Sequence, residues 1–187
     1  GFGEYEERLL KKGGINNGEY VSAGSLLYGL YKKKAIGSIK NKYDFCFISQ
    51  FSTVDSPQMN ILMDYHDKIF LCLTKICKEF GFSLVVPMRS ESSVENYINE
   101  FDHLSRIDTH GIAKLIPNNF SKFEGYKAAS QSNIVIAVNS TLALEMFGAG
   151  RKVLFCASAN NFEFAHFWDA FDNFNKFPNI NLLDNFS

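Results

Sequence analysis

Short apolar runs rich in β-branched residues alternate with longer stretches of helical spacing along most of this chain. The clearest unit is SNIVIAVNSTLALEMFGAGRKVLFC, from Ser132 to Cys156. Its run Ile134-Val135-Ile136-Ala137-Val138 predicts a strand buried on both faces, and Asn139, Ser140 and Thr141 form a polar corner after it. Residues 142–147 are good helix formers that stop at Gly148-Ala149-Gly150, and Val153-Leu154-Phe155-Cys156 predicts a second strand. A crossover of roughly 14 residues suits a parallel βαβ unit and is too long for a hairpin.

The rest of the chain repeats the alternation. EYEERLLKK, residues 4–12, predicts a helix ended by Gly13-Gly14; residues 19–22 predict a short strand, and Ala23-Gly24-Ser25 turns into a helix over 26–34. Residues 35–42 have the Gly, Ser, Lys and Asn content of a linker. Phe45-Cys46-Phe47-Ile48 predicts a strand that ends in Ser49-Gln50, and residues 52–58, with Pro57, a loop. Ile61, Leu62, Tyr65, Ile69, Leu73, Ile76, Cys77 and Phe80 follow helical spacing up to Gly81. A strand over 83–86 leaves through Pro87-Met88-Arg89-Ser90-Glu91. A helix over 93–104 has Val94, Tyr97, Ile98 and Phe101 as its apolar face; a strand over 112–116 and a helix over 123–130 complete the pattern. The fold class expected is α/β, a Rossmann-like doubly wound parallel sheet. Residues 1–42 read as an amino-terminal segment with a junction loop, and 43–187 as the Rossmann-like domain.

Candidate chemistry sits at the corners. A helix entered from the carboxyl end of a parallel strand points free N–H groups and its positive dipole end into the crevice where such sheets bind ligands. An anion, most simply a phosphate, suits the corner at Asn139, Ser140 and Thr141. Glu145, about one turn into the helix, is placed to accept hydrogen bonds from sugar hydroxyls. The same residues read equally as an ordinary helix cap and a solvated glutamate. Ser49 and Gln50 end one strand and Arg89 leaves another; a guanidinium there suits phosphate, or equally a surface ion pair with Glu91 or Glu95. Gly24 and Ser25 mark a second corner, which reads first as a cap and turn. His66 and Asp67 are expected to face solvent rather than to act as an acid–base pair, and His166 has no assignable partner.

Composition narrows the class. The 187 residues are 46% hydrophobic with a formal net charge of -1, enough for one sizeable core and without the positive charge of a nucleic-acid protein. No apolar stretch approaches a membrane span and no signal pattern opens the chain, so a cytoplasmic location is expected. The abrupt start, inside a helical pattern and without an initiator Met, reads as a piece of a longer protein. Cys46, Cys72, Cys77 and Cys156 lie in apolar contexts without CxxC spacing and are expected to be buried reduced thiols, not disulfides or a zinc site. Phe162, Phe164, Phe167, Trp168, Phe171, Phe174 and Phe177 crowd the last stretch, where core packing or docking onto a missing domain is expected before a substrate platform.

These residues carry a resemblance. SNIVIAVNSTLALEMFGAGRKVLF resembles the donor-binding segment of GT-B glycosyltransferases of the bacterial surface-carbohydrate and capsule polysaccharide type, in which an apolar run leads into NST-L-x-x-E. GYKAASQ resembles the helix before that strand, FCFISQF the first strand of the donor half, and EYVSAGSLLYGLYKK the VGSPR-like loop at the junction of the two halves. The likeness spans most of residues 19–156, and its NST-to-Glu segment is the most specific part. It implies the carboxy-terminal, nucleotide-sugar-binding half of an enzyme that transfers sugar from an activated donor during surface polysaccharide biosynthesis.

On that resemblance Ser140 and Thr141, with Asn139 in the same motif, hold the donor phosphates, and Glu145 takes ribose or sugar hydroxyls. Gln50 and Arg89, with Ser49 beside them, line the phosphate side, and Gly24 and Ser25 carry over from the junction loop. Asn133 stands where the family commonly has Asp, Met88-Arg89 replaces an HP-type motif, and Leu27-Tyr28 replaces Pro-Arg. The implied partners are a nucleotide-sugar donor, a glycan or glycolipid acceptor and a missing amino-terminal domain, with no nucleic acid; peripheral association of the full-length protein with the inner membrane is compatible. No Asp-x-Asp occurs, so metal independence is expected, with no cofactor beyond the nucleotide-sugar co-substrate. The general base is expected in the other half, so that this chain alone binds nucleotide without transferring sugar. A nucleotide-sugar epimerase, a glycerophosphate transferase and a non-catalytic nucleotide-binding or scaffolding domain remain as alternatives on the same architecture.

Overall fold

The computed structural model describes residues 4–14, 19–21, 24–35, 40–91, 95–138 and 140–156. Tyr28–Ala157 forms one compact unit, and helix α1, Glu4–Lys12, lies outside it. Within the unit and at its edge follow α2 (Leu26–Lys34), β1 (Tyr43–Phe47), α3 (Pro57–Phe80), β2 (Leu84–Glu91), α4 (Glu95–Ile107), β3 (Ala113–Asn118), α5 (Glu124–Ser130), β4 (Ser132–Ala137), α6 (Thr141–Gly148) and β5 (Val153–Phe155). The strands form one sheet in the order β3-β2-β1-β4-β5, and every pairing is parallel. This is the Rossmann-like α/β class that the alternation predicts.

Right-handed crossovers decide which helix covers which face. The steps from β1 to β2 and from β2 to β3 move one way across the sheet, whereas the return to β4 and the step to β5 move the other way. Helices α3 and α4 therefore cover one face and α5 and α6 the other. Side chains alternate between these layers. Cys46, Ile48, Val85, Val135 and Ala137 pack with Ala128 and Ala129 of α5 and Ala143 and Met146 of α6. On the opposite face Phe47 stacks on Phe70 of α3, with ring centroids 5.4 Å apart. Both faces of the strands are covered, which is why their sequences are apolar without alternation.

Local chemistry sets the element ends. The Ser56 hydroxyl caps α3 by accepting from Met59 N at 3.2 Å, Pro57 occupies the first turn, and Gly81 closes the helix in the left-handed conformation, φ 70°. Helix α5 carries the small residues Gly125, Ala128, Ala129 and Ser130 and approaches α6 closely: a Cβ on Gly125 would lie 3.2 Å from Leu142 Cδ2. Phe123, just before α5, has φ 55°, and its ring meets Tyr31, Tyr126 and the Lys34 ammonium. At the amino end of the sheet Asp44 Oδ2 accepts from Ser83 N and Ser83 Oγ, at 2.9 and 2.7 Å.

Several expectations change. Residues 19–21 are not a strand, and Ser22 lies outside the described residues. Strand β2 does not end at residue 86; it continues through Pro87 to Glu91, with an irregularity in its register against β3 after Pro87. A proline inside a central strand has no N–H for the ladder, but its carbonyl still accepts from Ser49 N at 3.3 Å. Helix α4 does not bury the face expected of it: Ile98 and Phe101 are exposed, while Glu100 and Leu104 are buried. All four cysteines are free, Cys46 and Cys77 buried and Cys72 and Cys156 half-buried. Burial raises the thiols of Cys77 and Cys156 to about 11 and about 12, and that of Cys46 further, so they stay protonated. The aromatic stretch 162–177, with His166, lies outside the described residues.

Candidate functional site at the carboxyl edge of the sheet

Strands β1 and β4 are neighbours, and the chain leaves them in opposite directions, toward β2 and toward β5. Such a reversal opens a crevice beyond the carboxyl ends of the two strands, where open parallel sheets take ligands. The strands stay paired as far as Ile48, whose N–H donates to Ile136 O at 2.9 Å. Beyond it, Ser49 and Gln50 continue one wall, and Val138, Ser140 and Thr141 the other. Asn139 lies outside the described residues, and Gly24 and Ser25 lie outside the compact unit.

Ser140 stands at the N-cap of α6 by its backbone, φ -134° and ψ 128°, and its carbonyl accepts from Leu144 N at 3.1 Å. Its hydroxyl makes no cap hydrogen bond, unlike that of Ser56. Thr141 is exposed. Glu145 is half-buried, and the Tyr126 hydroxyl donates to its Oε2 at 2.5 Å, so one carboxylate oxygen turns toward α5. Asn133, the departure from the family's Asp, sits at the other end of β4, where it bonds Asn41 at 2.6 Å and Asp44 at 3.4 Å.

The opposite wall is organised by a residue the sequence pattern does not single out. Glu100 of α4 is fully buried, and its carboxylate accepts from Ser49 Oγ at 2.6 Å and from the backbone N–H groups of Arg89 and Ser90 at 2.8 Å each. It clamps the carboxyl ends of β1 and β2 together. Ser49 is thereby buried with its hydroxyl committed to Glu100. Arg89 is not in a loop beyond the strand but in the irregular end of β2, with an exposed side chain whose Nη1 donates to Phe51 O at 3.4 Å. Arg89 and Ser49 thus sit at adjacent strand ends, with Ser140 and Thr141 across the β1–β4 boundary.

Next to this wall, His66 and Asp67 depart from the solvent-facing expectation. His66 is fully buried against Phe47, with ring centroids 4.9 Å apart. Asp67 Oδ1 bonds His66 Nδ1 and His103 Nε2, both at 2.9 Å, and so joins α3 to α4. Burial opposes the charge on Asp67, but the hydrogen bonds from both histidines outweigh it and hold the carboxyl below its ordinary 3.8. The signal for His66 was its spacing: it falls between Leu62 and Ile69-Phe70 on the buried stripe of α3. Nothing in the local sequence marks His103 or Glu100. Among the described residues no group of three or more His, Cys, Asp or Glu is arranged to hold a metal ion, and no helix is long and apolar enough to cross a membrane.

Strand order and helix layers together define a Rossmann-like α/β protein whose sheet reverses direction between β1 and β4. The profile of a family described as "putative O-antigen biosynthesis protein" matches residues 14–175, and the chain belongs to that family. Its role accordingly falls in surface polysaccharide biosynthesis. No curated protein matches the chain.

Proposed function

We propose that Tyr28–Ala157 is the nucleotide-sugar-binding domain of a glycosyltransferase in surface polysaccharide biosynthesis, a GT-B half as the resemblance implies. The observation that carries this reading is the start of α6. It opens at the β1–β4 switch point, with Ser140 in cap geometry and its hydroxyl not used for the cap. Helix N–H groups, the dipole and the Ser140 and Thr141 hydroxyls bind the donor diphosphate there. Arg89 and Gln50 complete the phosphate side, and Glu145, steadied by Tyr126, accepts hydroxyls of the ribose or donor sugar. In transfer the bond from the anomeric carbon to the phosphate oxygen breaks, a bond to the acceptor oxygen forms, and the acceptor hydroxyl gives its proton to a general base supplied by the other half of the enzyme. The leaving nucleotide gains negative charge, which preorganised N–H groups and a guanidinium stabilise without a proton transfer.

The test is a thermal-shift and calorimetric titration with UDP, GDP, CDP and CMP. One nucleotide is expected to stabilise the protein, by about 2.7 kcal/mol at a hundredfold excess over its dissociation constant. Ser140→Ala and Arg89→Ala are each expected to weaken that binding about tenfold or more, the loss of a charge-assisted contact. Equal binding by both variants and the parent would sink the assignment.

A further inference from the structure

We propose that the groove between Phe51 and the outer face of α4 is a carbohydrate subsite, in which His103, fixed by Asp67, hydrogen-bonds a sugar hydroxyl. The groove is about 540 Å³ and is lined by Phe51, Asn99, Asp102, His103, Ser105 and Arg106. It is an open groove rather than an enclosed cavity: Asn99, Asp102, Ser105 and Arg106 are exposed, and Phe51 and His103 are half-buried. Residues 99, 102, 103 and 106 fall on one helix face by their spacing of three and four. The lining combines an aromatic plate with an amide, a carboxylate, a guanidinium and a hydroxyl. Asp102 and Arg106 offset each other, so no net charge selects a free phosphate. Planar groups that bond in pairs match the vicinal hydroxyls of a pyranose, and the Phe51 ring matches its apolar C–H face.

The imidazole supplies a second, independent observation. His103 donates Nε2–H to Asp67 Oδ1 at 2.9 Å, and its ring centroid lies 5.1 Å from that of Phe51. With Nε2 carrying the proton, Nδ1 presents a lone pair to a donor. Asp67 is held from behind by His66, a residue buried completely with no hydrogen-bond partner for its Nε2.

The groove adjoins the crevice through Phe51. Its N–H reaches Ser49 Oγ at 3.4 Å and its carbonyl accepts from Arg89, while its ring lines the groove. Resting on the donor reading, we assign the subsite to the acceptor glycan; sugar binding itself does not depend on that reading.

The experiment follows the imidazole nitrogens of the full chain by NMR during titration with methyl hexopyranosides and methyl N-acetylhexosaminides, with and without nucleotide. The His103 signals are identified by their loss in His103→Gln. A saturable shift of His103 Nδ1 with at least one glycoside is expected, with the dissociation constant raised about tenfold by Phe51→Ala and by the exposed-site variant Asn99→Ala. No saturable shift with any glycoside would overturn the subsite, as would dissociation constants unchanged in both variants. Glycoside binding without nucleotide binding upholds the subsite and overturns the donor reading. Nucleotide binding without glycoside binding does the reverse.

Discussion

Glu100 and Asp67 are carboxylates turned inward from helices, and each ties together parts of the chain far apart in sequence. Glu100 meets Ser49, 51 positions away, and Asp67 meets His103, 36 positions away. A buried acceptor of this kind stabilises only while its donors are in place, and removing it leaves them unsatisfied at a cost of about 1–3 kcal/mol. Asp67→Asn should lower stability by that order at neutral pH. The sign of its pH dependence follows from the depressed carboxyl. A folded-state value below 3.8 means that the carboxylate's contribution is fully present above 3.8 and is lost as pH falls through the folded value. The gap between parent and variant in urea unfolding should therefore narrow as pH falls below about 4. A gap that widens on acidification would show that the histidines, not the carboxylate, set the energetics. Neither partnership was legible in the sequence, because periodicity reports which face of a helix is apolar and not which polar side chains meet across the fold.

At the scale of elements the sequence carried much more. The apolar runs marked β1, β4 and β5, and the stripe ending at Gly81 marked α3. Where patterning failed, a polar group had displaced an apolar one. Helix α4 buries Glu100 and leaves Ile98 exposed, since the carboxylate satisfies the backbone N–H groups freed where β2 departs from its ladder. Pro87 read as a strand end for a related reason: its missing N–H argues against a central strand, but its carbonyl still pairs. The two serine caps give a contrast that tests the assignment of roles. Ser56→Ala removes a hydroxyl that accepts from Met59 N and should cost about 1 kcal/mol. Ser140→Ala removes one that makes no cap bond, so its cost should stay within about 0.5 kcal/mol while nucleotide affinity falls. Chemical denaturation of both variants without ligand decides it. A loss at Ser140 as large as that at Ser56 would make it a structural cap after all.

Across the whole unit, the order β3-β2-β1-β4-β5 places the candidate crevice and the two apolar layers in one framework, in which crossover handedness decides which helix covers which face. What alternation alone could not supply was the strand order, which sets Ser49 and Ser140 on neighbouring strands. One sheet with a layer on each face should unfold as one cooperative unit. Ile69→Val trims the α3 layer and should cost about 1 kcal/mol. Val135→Ala trims the opposite layer by two methyl groups and should cost about 2 kcal/mol. With the sheet backbone between the two sites, the double variant should lose the sum within about 0.5 kcal/mol, in one transition seen alike by far-ultraviolet circular dichroism and by tyrosine fluorescence. Separate transitions would mean that the two layers are held independently. A ligand in the crevice could then order one layer and leave the other unchanged, so the same unfolding curves taken with nucleotide present would locate the crevice in the layer they stabilise.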